Sequence, residues 1–100
     1  MKTPETCENM IEIRAAIDAL DHEVVQLLGK RFAYVQAAAK FKTDEQSVRA
    51  PQRFAAMLEQ RRIWAQENGL NADAIEKLFR DLVTHFIEEE TRHWRENQKS

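Results

Sequence analysis

Between Pro4 and Pro51 the chain has no proline and one glycine, Gly29, so from about Asn9 to Lys42 nothing interrupts a helix. At about 1.5 Å per residue, the roughly 34 residues of that run make a rod of about 50 Å. A compact domain of 100 residues has a radius of gyration of only about 13 Å. One chain cannot cover an unbroken rod of that length, so the spacing predicts a partner that shares its apolar face. Three cations, Arg14, Arg31 and Lys42, stand in or beside that face. A charge withdrawn from water is costly unless it is paired. These cations must therefore meet carboxylates of the protein or an anionic ligand.

The apolar face follows from the heptad spacing. Met10, Ile17, Val24 and Ala38 recur in one series, and Ile13, Leu20, Leu27, Tyr34 and Phe41 in a second. Such a double series is the seam of a helical bundle or coiled coil. Arg31 occupies the slot of the first series where an apolar residue belongs, while Arg14 and Lys42 follow members of the second. At about 100° per residue, Arg31 and Lys42 fall on one face about 16 Å apart, whereas Arg14 points about 100° away from Arg31. An antiparallel copy of the rod brings Arg14 of one chain toward Arg31 and Lys42 of the other.

Two further helices are expected. The polar residues 43–49 read as a loop, expected to be mobile when empty and ordered over a bound ligand. Pro51 suits the first turn of a second helix, with Phe54, Met57, Leu58, Arg61 and Ala65 on one face. Asn68-Gly69 ends it. Asn71 caps a third helix, whose stripe is Ile75, Leu78, Phe79, Leu82, Val83, Phe86, Ile87 and then Glu90. One long helix and two shorter ones make an all-α fold in a single domain, residues 1–100.

Composition narrows the function classes. A net charge of −2 lacks the basic surplus of a nonspecific nucleic-acid binder. The opening MKTPETCENM has no apolar signal-peptide core and no segment holds 18 consecutive apolar residues, so no membrane partner is expected. The single Cys7 cannot form an intrachain disulfide, in keeping with a reducing cytoplasm. No phosphate-binding glycine loop, Ser/His/Asp set or Cys/His metal spacing is present. Glu90 and His93 have the E-x-x-H spacing of di-iron bundles, but such sites need two more inward glutamates, and the first helix offers cations instead. No metal or cofactor is expected. A structural reading stands beside the functional one: Arg31 pairs with Glu90 as a buried ion pair, and Trp64 and Trp94 are packing or rim residues.

The stretches IRAAIDALDHEVVQLLGKR, YVQAAAKFK, APQRFAAML, WAQENGL and LF…FIEEE, with MKTPETC at the start, together resemble the all-helical chorismate mutase family. Within it they are most similar to the bacterial isochorismate-pyruvate lyases, which make salicylate for siderophores. The resemblance implies an intertwined, obligate homodimer with two equivalent sites, each completed by an arginine from the other chain. That partner-chain arginine falls on Arg14. The main carboxylate-binding arginine falls on Arg31, the ether-oxygen lysine on Lys42 and a second-helix arginine on Arg53. Two departures carry information. Mutases of the family place acidic residues near the start of the second helix to hold the ring hydroxyl of chorismate, where this chain has Ala50 and Phe54. That favours isochorismate, whose hydroxyl lies elsewhere on the ring. Glu90 stands where the lyases have glutamine.

The implied chemistry needs no cofactor. Isochorismate loses pyruvate as a ring hydrogen moves to the enolpyruvyl methylene and the C–O bond breaks. A pericyclic step of this kind needs a compact substrate and stabilisation of charge on the ether oxygen. Arg31 and Arg14 clamp the carboxylates, Lys42 donates to the ether oxygen, and Glu90, when protonated, is a second donor. Val35, Val83, Phe86 and Ile87 wall the pocket against water. The alternatives are a chorismate mutase, as main or side activity, and a non-enzymatic helical interaction module whose cations pair internally.

Overall fold

The computed structural model describes residues 2–44 and 50–98. Among these the fold is all-α, with no strand. A 3-10 turn at Pro4–Thr6 precedes the long helix α1, Met10–Ala38, which tightens into a second 3-10 turn at Ala39–Phe41. Helix α2 is Pro51–Glu67 and helix α3 is Ala72–Gln98. The expected loop is described only at its start, and its residues 45–49 lie outside the described residues. The chain divides into two compact units, Met1–Val35 and Gln36–Ser100.

The helix ends follow from local chemistry. Asn9 caps α1 by accepting the Glu12 backbone N–H at 2.9 Å, and the Glu12 carboxylate accepts the Glu8 N–H at 2.8 Å. The first bond satisfies a donor that the first helical turn leaves open, and the second ties the residue before the cap to that turn. Pro51 opens α2, whose missing N–H is no loss in a first turn. Ala50 before it adopts φ 39°, ψ 64°, the single non-glycine residue with positive φ among those described. Gly69, at φ 72°, ends α2, and the Leu70 N–H closes back onto the Ala65 carbonyl at 2.8 Å. Glycine takes this left-handed conformation at no steric cost. Asn71 then caps α3 through the Ala74 N–H at 2.9 Å.

Two expectations need correction. The helical phase assumed through Lys42 ends at Ala38, because residues 39–41 wind as a 3-10 turn and Lys42 is extended, at φ −100°, ψ 126°. The arithmetic that set Arg31 and Lys42 on one face therefore does not reach Lys42. Leu78, placed in the α3 stripe, is exposed. It lies three residues past Ile75, about 60° off that residue's direction on a helix.

In the second unit α2 packs against α3. Met57, Leu58 and Ala65 are buried there, and so is Thr91. On the outer side of this hairpin Arg62 binds Asp73 at 2.7 Å and Arg80 binds Glu76 at 3.3 Å. The Asp73 carboxylate holds the Arg62 guanidinium above its ordinary pKa. Arg61, on the inward face of α2, lies 4.6 Å from the Trp64 ring and 5.7 Å from that of Phe79. Aromatic faces explain how a cation sits in that stripe.

In the first unit α1 buries no residue. Ile17, Leu20, Val24 and Leu27, all seam positions, are half or more exposed. Leu28, Arg31, Phe32 and Val35 are partly covered.

Candidate active site

Lys42 and Glu90 lie 48 positions apart in sequence and meet in the second unit. The Lys42 ammonium donates to Glu90 Oε1 at 2.7 Å. Two local features make this contact. The 3-10 turn ends as the Lys42 backbone N–H bonds the Ala39 carbonyl at 3.1 Å, and the extended conformation of Lys42 takes the chain out of helix. Glu90 rides on α3, eight residues past Leu82 and eleven past Phe79, and so keeps their phase. Its side chain is 10% exposed and that of Lys42 22%, an enclosure deeper than at the Lys2–Glu12 or Lys77–Asp81 pairs. In such partial shelter an ion pair is screened less than one in open solvent.

Val83, Phe86 and Ile87, the expected wall residues of α3, are half-buried on the turns just before Glu90. His85 packs edge-on to Phe86, with ring centres 5.3 Å apart, and its Nε2 lies 3.5 Å from the Glu89 carboxylate. Arg53 sits in the first turn of α2, exposed and without an ion pair among the described residues. Arg14, Arg31 and Val35 belong to the other unit. There Arg14 is exposed and Arg31 half-buried, and neither guanidinium has a hydrogen-bond or ion-pair partner among the described residues of that unit. Within the second unit the cation that holds Glu90 is Lys42. Among the described residues no three His, Cys, Asp or Glu side chains come together as a metal-ligand set. The pair Glu90 and His93 gains no such company.

Thr91 was not marked by the sequence pattern. It is buried to 3% exposure, and its hydroxyl has no hydrogen-bond partner among the described residues. Its position, well off the direction of Ile75 and Phe79 on the helix, hid it. Only the half-buried Trp94, three residues on, hints that the covered side of α3 turns toward Ile87, Thr91 and Trp94 near its end.

A cavity of about 320 Å³ lies at the start of α1, lined by Lys2, Glu12, Ala15, Ala16 and Ala19. The Lys2 ammonium bonds Glu12 Oε1 at 2.8 Å across its edge. That ammonium, with the Glu8 N–H, holds the Glu12 carboxyl below its ordinary pKa. None of the expected site residues lines this cavity.

Residues 13–91 match the chorismate mutase type II family. The chain is 47% identical over 98 residues to the isochorismate pyruvate lyase of Pseudomonas aeruginosa, covering 98% of this chain and 97% of the relative. It is also 38% identical over 77 residues to the T-protein of Haemophilus influenzae, covering 76% of this chain but only 20% of that relative. Among the described residues no helix is long and apolar enough to cross a membrane.

Proposed function

Because the chain belongs to the chorismate mutase type II family, and matches a lyase of that family almost end to end, we propose that it is an isochorismate pyruvate lyase. The observation that carries this reading is the partly buried Lys42–Glu90 pair, joined at 2.7 Å beside the apolar turn of Val83, Phe86 and Ile87. It supplies a cation for the ether oxygen next to a surface that excludes water.

Residues 1–100 act as one domain, and two copies pair as a homodimer in the cytoplasm. The exposed apolar seam of α1 supports that assembly. Arg31 binds one carboxylate of isochorismate and Arg14 of the second copy binds the other, the forked guanidinium suiting a carboxylate better than an ammonium does. Arg53 adds charge at the entrance. Neither Arg14 nor Arg31 is committed to a carboxylate of its own unit, which supports keeping both for a ligand. Holding the enolpyruvyl arm over the ring converts a floppy substrate into a reactive one. As the ring C–O bond breaks, the ring hydrogen passes to the methylene carbon, giving pyruvate and leaving the aromatic ring of salicylate. Lys42 meets the negative charge that grows on the ether oxygen, and protonated Glu90 donates a second hydrogen bond. The salicylate enters siderophore synthesis. Family membership also favours a second activity, the rearrangement of chorismate to prephenate, on the same cations.

Purified protein incubated with isochorismate should release salicylate, read by its fluorescence. Incubation with chorismate tests for prephenate. Prephenate alone would make the protein a mutase, and neither product would leave the helical interaction module.

A further inference from the structure

We propose that Glu12, clasped by the N-terminal segment 2–8, is a positioning residue for Arg14, the arginine that each copy lends to the other's site. The inference rests on the lyase reading, from which it takes the role of Arg14.

The observations all lie within the first unit. Both oxygens of the Glu12 carboxylate are engaged: the Lys2 ammonium donates to Oε1 at 2.8 Å and the Glu8 backbone N–H to Oε2 at 2.8 Å. The Glu12 backbone N–H in turn donates to the Asn9 side chain at 2.9 Å. Between Lys2 and Glu8 runs the 3-10 turn Pro4–Thr6, where the Thr6 N–H and hydroxyl both donate to the Thr3 carbonyl, at 3.0 and 3.1 Å. One side chain thus ties both ends of the segment to the first turn of α1.

Packing alone does not pin that turn. Met10 and Ile11 are more than half exposed, and residues 2–6 are exposed as well. Beside Lys2, the small side chains of Ala15, Ala16 and Ala19 leave a cavity rather than a packed contact. A helix end held by neither burial nor capping frays. Arg14 is only the fifth residue of α1, so unwinding of the first turn would reach it.

Glu12 does not act by touching the ligand. Two positions along a helix differ by about 200°, so Glu12 and Arg14 point to nearly opposite sides. Arg14 is exposed and its guanidinium has no partner among the described residues of its unit. What fixes its place is therefore the backbone of the turn below it, and a small displacement of a substrate-holding group costs catalysis heavily.

The test follows from which chain lends which arginine. Mixed dimers of two differently tagged variants are purified, and the product released from isochorismate, or from chorismate, is measured. When Glu12→Ala is paired with Arg31→Ala, the intact site joins Arg31 of the first chain to Arg14 of the second. It should turn over as wild type paired with Arg31→Ala does. When Glu12→Ala is paired with Arg14→Ala, the surviving site takes its Arg14 from the Glu12→Ala chain. Its kcat/KM should fall about three- to tenfold below that of wild type paired with Arg14→Ala, the scale of losing one helix-end contact. Lys2→Ala leaves the helix sequence untouched and should repeat the pattern with a smaller loss, which keeps the test in force should Glu12→Ala fold poorly. A purely structural role would show alike in both mixtures, so an equal deficit in the two, or none in either, overturns the proposal. The mixture of Arg14→Ala with Arg31→Ala scores the cross-chain reading by itself. Recovery there, without a Glu12 deficit that follows Arg14, sinks the positioning role and leaves the lyase. No recovery, or a wild type that releases neither product, removes the shared site and this proposal with it.

Discussion

The two units of this chain treat their apolar residues in opposite ways. In the α2–α3 hairpin Met57, Leu58 and Ala65 are buried by their own chain. In α1, a helix of 29 residues, no side chain is buried, although Ile17, Leu20, Val24 and Leu27 repeat with a seam's regularity. The hairpin's stripe finds its complement one tight turn away, at Asn68–Asn71. The seam of α1 has no such neighbour following in sequence. A hydrophobic pattern therefore fixes which face must be covered, and the connection that follows decides whether the same chain supplies the cover.

The sharpest way to break this contrast is through the two arginines of α1. Arg31→Ala and Arg14→Ala should each lower kcat/KM by about 10²–10³-fold, the scale of losing one preorganised charge-stabilising group. Helicity should be unchanged, since neither guanidinium has an ion pair within its unit. Mixing the two variants should restore activity, because one site of each mixed dimer keeps both arginines. Mixed dimers that form and stay inactive would place Arg14 outside the partner's site.

Next in size are paired truncations, one from each region. Leu58→Ala removes a buried side chain and should destabilise by about 2–5 kcal/mol at every protein concentration. Leu27→Ala should instead weaken association, so that its urea midpoint depends on concentration more steeply than that of the wild type. Sedimentation of the wild type should give about twice 11.7 kDa. A well-folded monomer of the wild type would erase the contrast between the regions.

Much of this layout could be read from residue types. Asn9, Pro51, Gly69 and Asn71 mark helix ends because each satisfies, or cannot supply, a particular backbone group. Glu90 stands out by phase alone. The pairing of Glu90 with Lys42 was not legible: periodicity describes one element at a time, whereas this pair joins residues 48 apart. Nor does anything in Ala-Lys-Phe announce a 3-10 turn. Ala50 gives no sign of its positive φ, since alanine ordinarily avoids that region. The burial of Thr91 depends on how the covered side of α3 turns near its end, which its leading stripe does not reveal. That Arg14 and Arg31 share a site with Lys42 is implied by the family resemblance and is part of the proposed function.

A smaller effect concerns the pH dependence of turnover. In the lyase reading Glu90 must carry a proton to donate, so kcat should rise as pH falls, by at most about tenfold per unit. Glu90→Gln keeps a donor at all pH values and should flatten the profile. Parallel profiles for the two proteins would return Glu90 to a purely structural role.

The smallest expected effect sits at the start of α1. Lys2 holds the Glu12 carboxyl below its ordinary pKa, so the contact favours the folded helix end above the unfolded glutamate's titration range, about 4.3. That contribution is lost as pH falls through the lowered folded value. Lys2→Ala should make fraying of the first turn less dependent on pH in this acid range, seen by hydrogen exchange at the amides of that turn. An unchanged acid profile would show that the Lys2 contact contributes nothing there.

The bare face of α1 also bears on the order in which the molecule takes shape. Met57 is the first fully covered apolar residue along the described chain, yet α1 leaves the ribosome before it. Synthesis runs from the N-terminus, and hairpins of sequence-local contacts fold quickly once complete. The helix made first is thus stabilised last: it spends the interval with its seam in water, and in the proposed dimer its cover comes from another molecule. The rate of reaching the final state should then rise with the concentration of newly made chains, which ties the maturation of this small protein to how abundantly it is expressed.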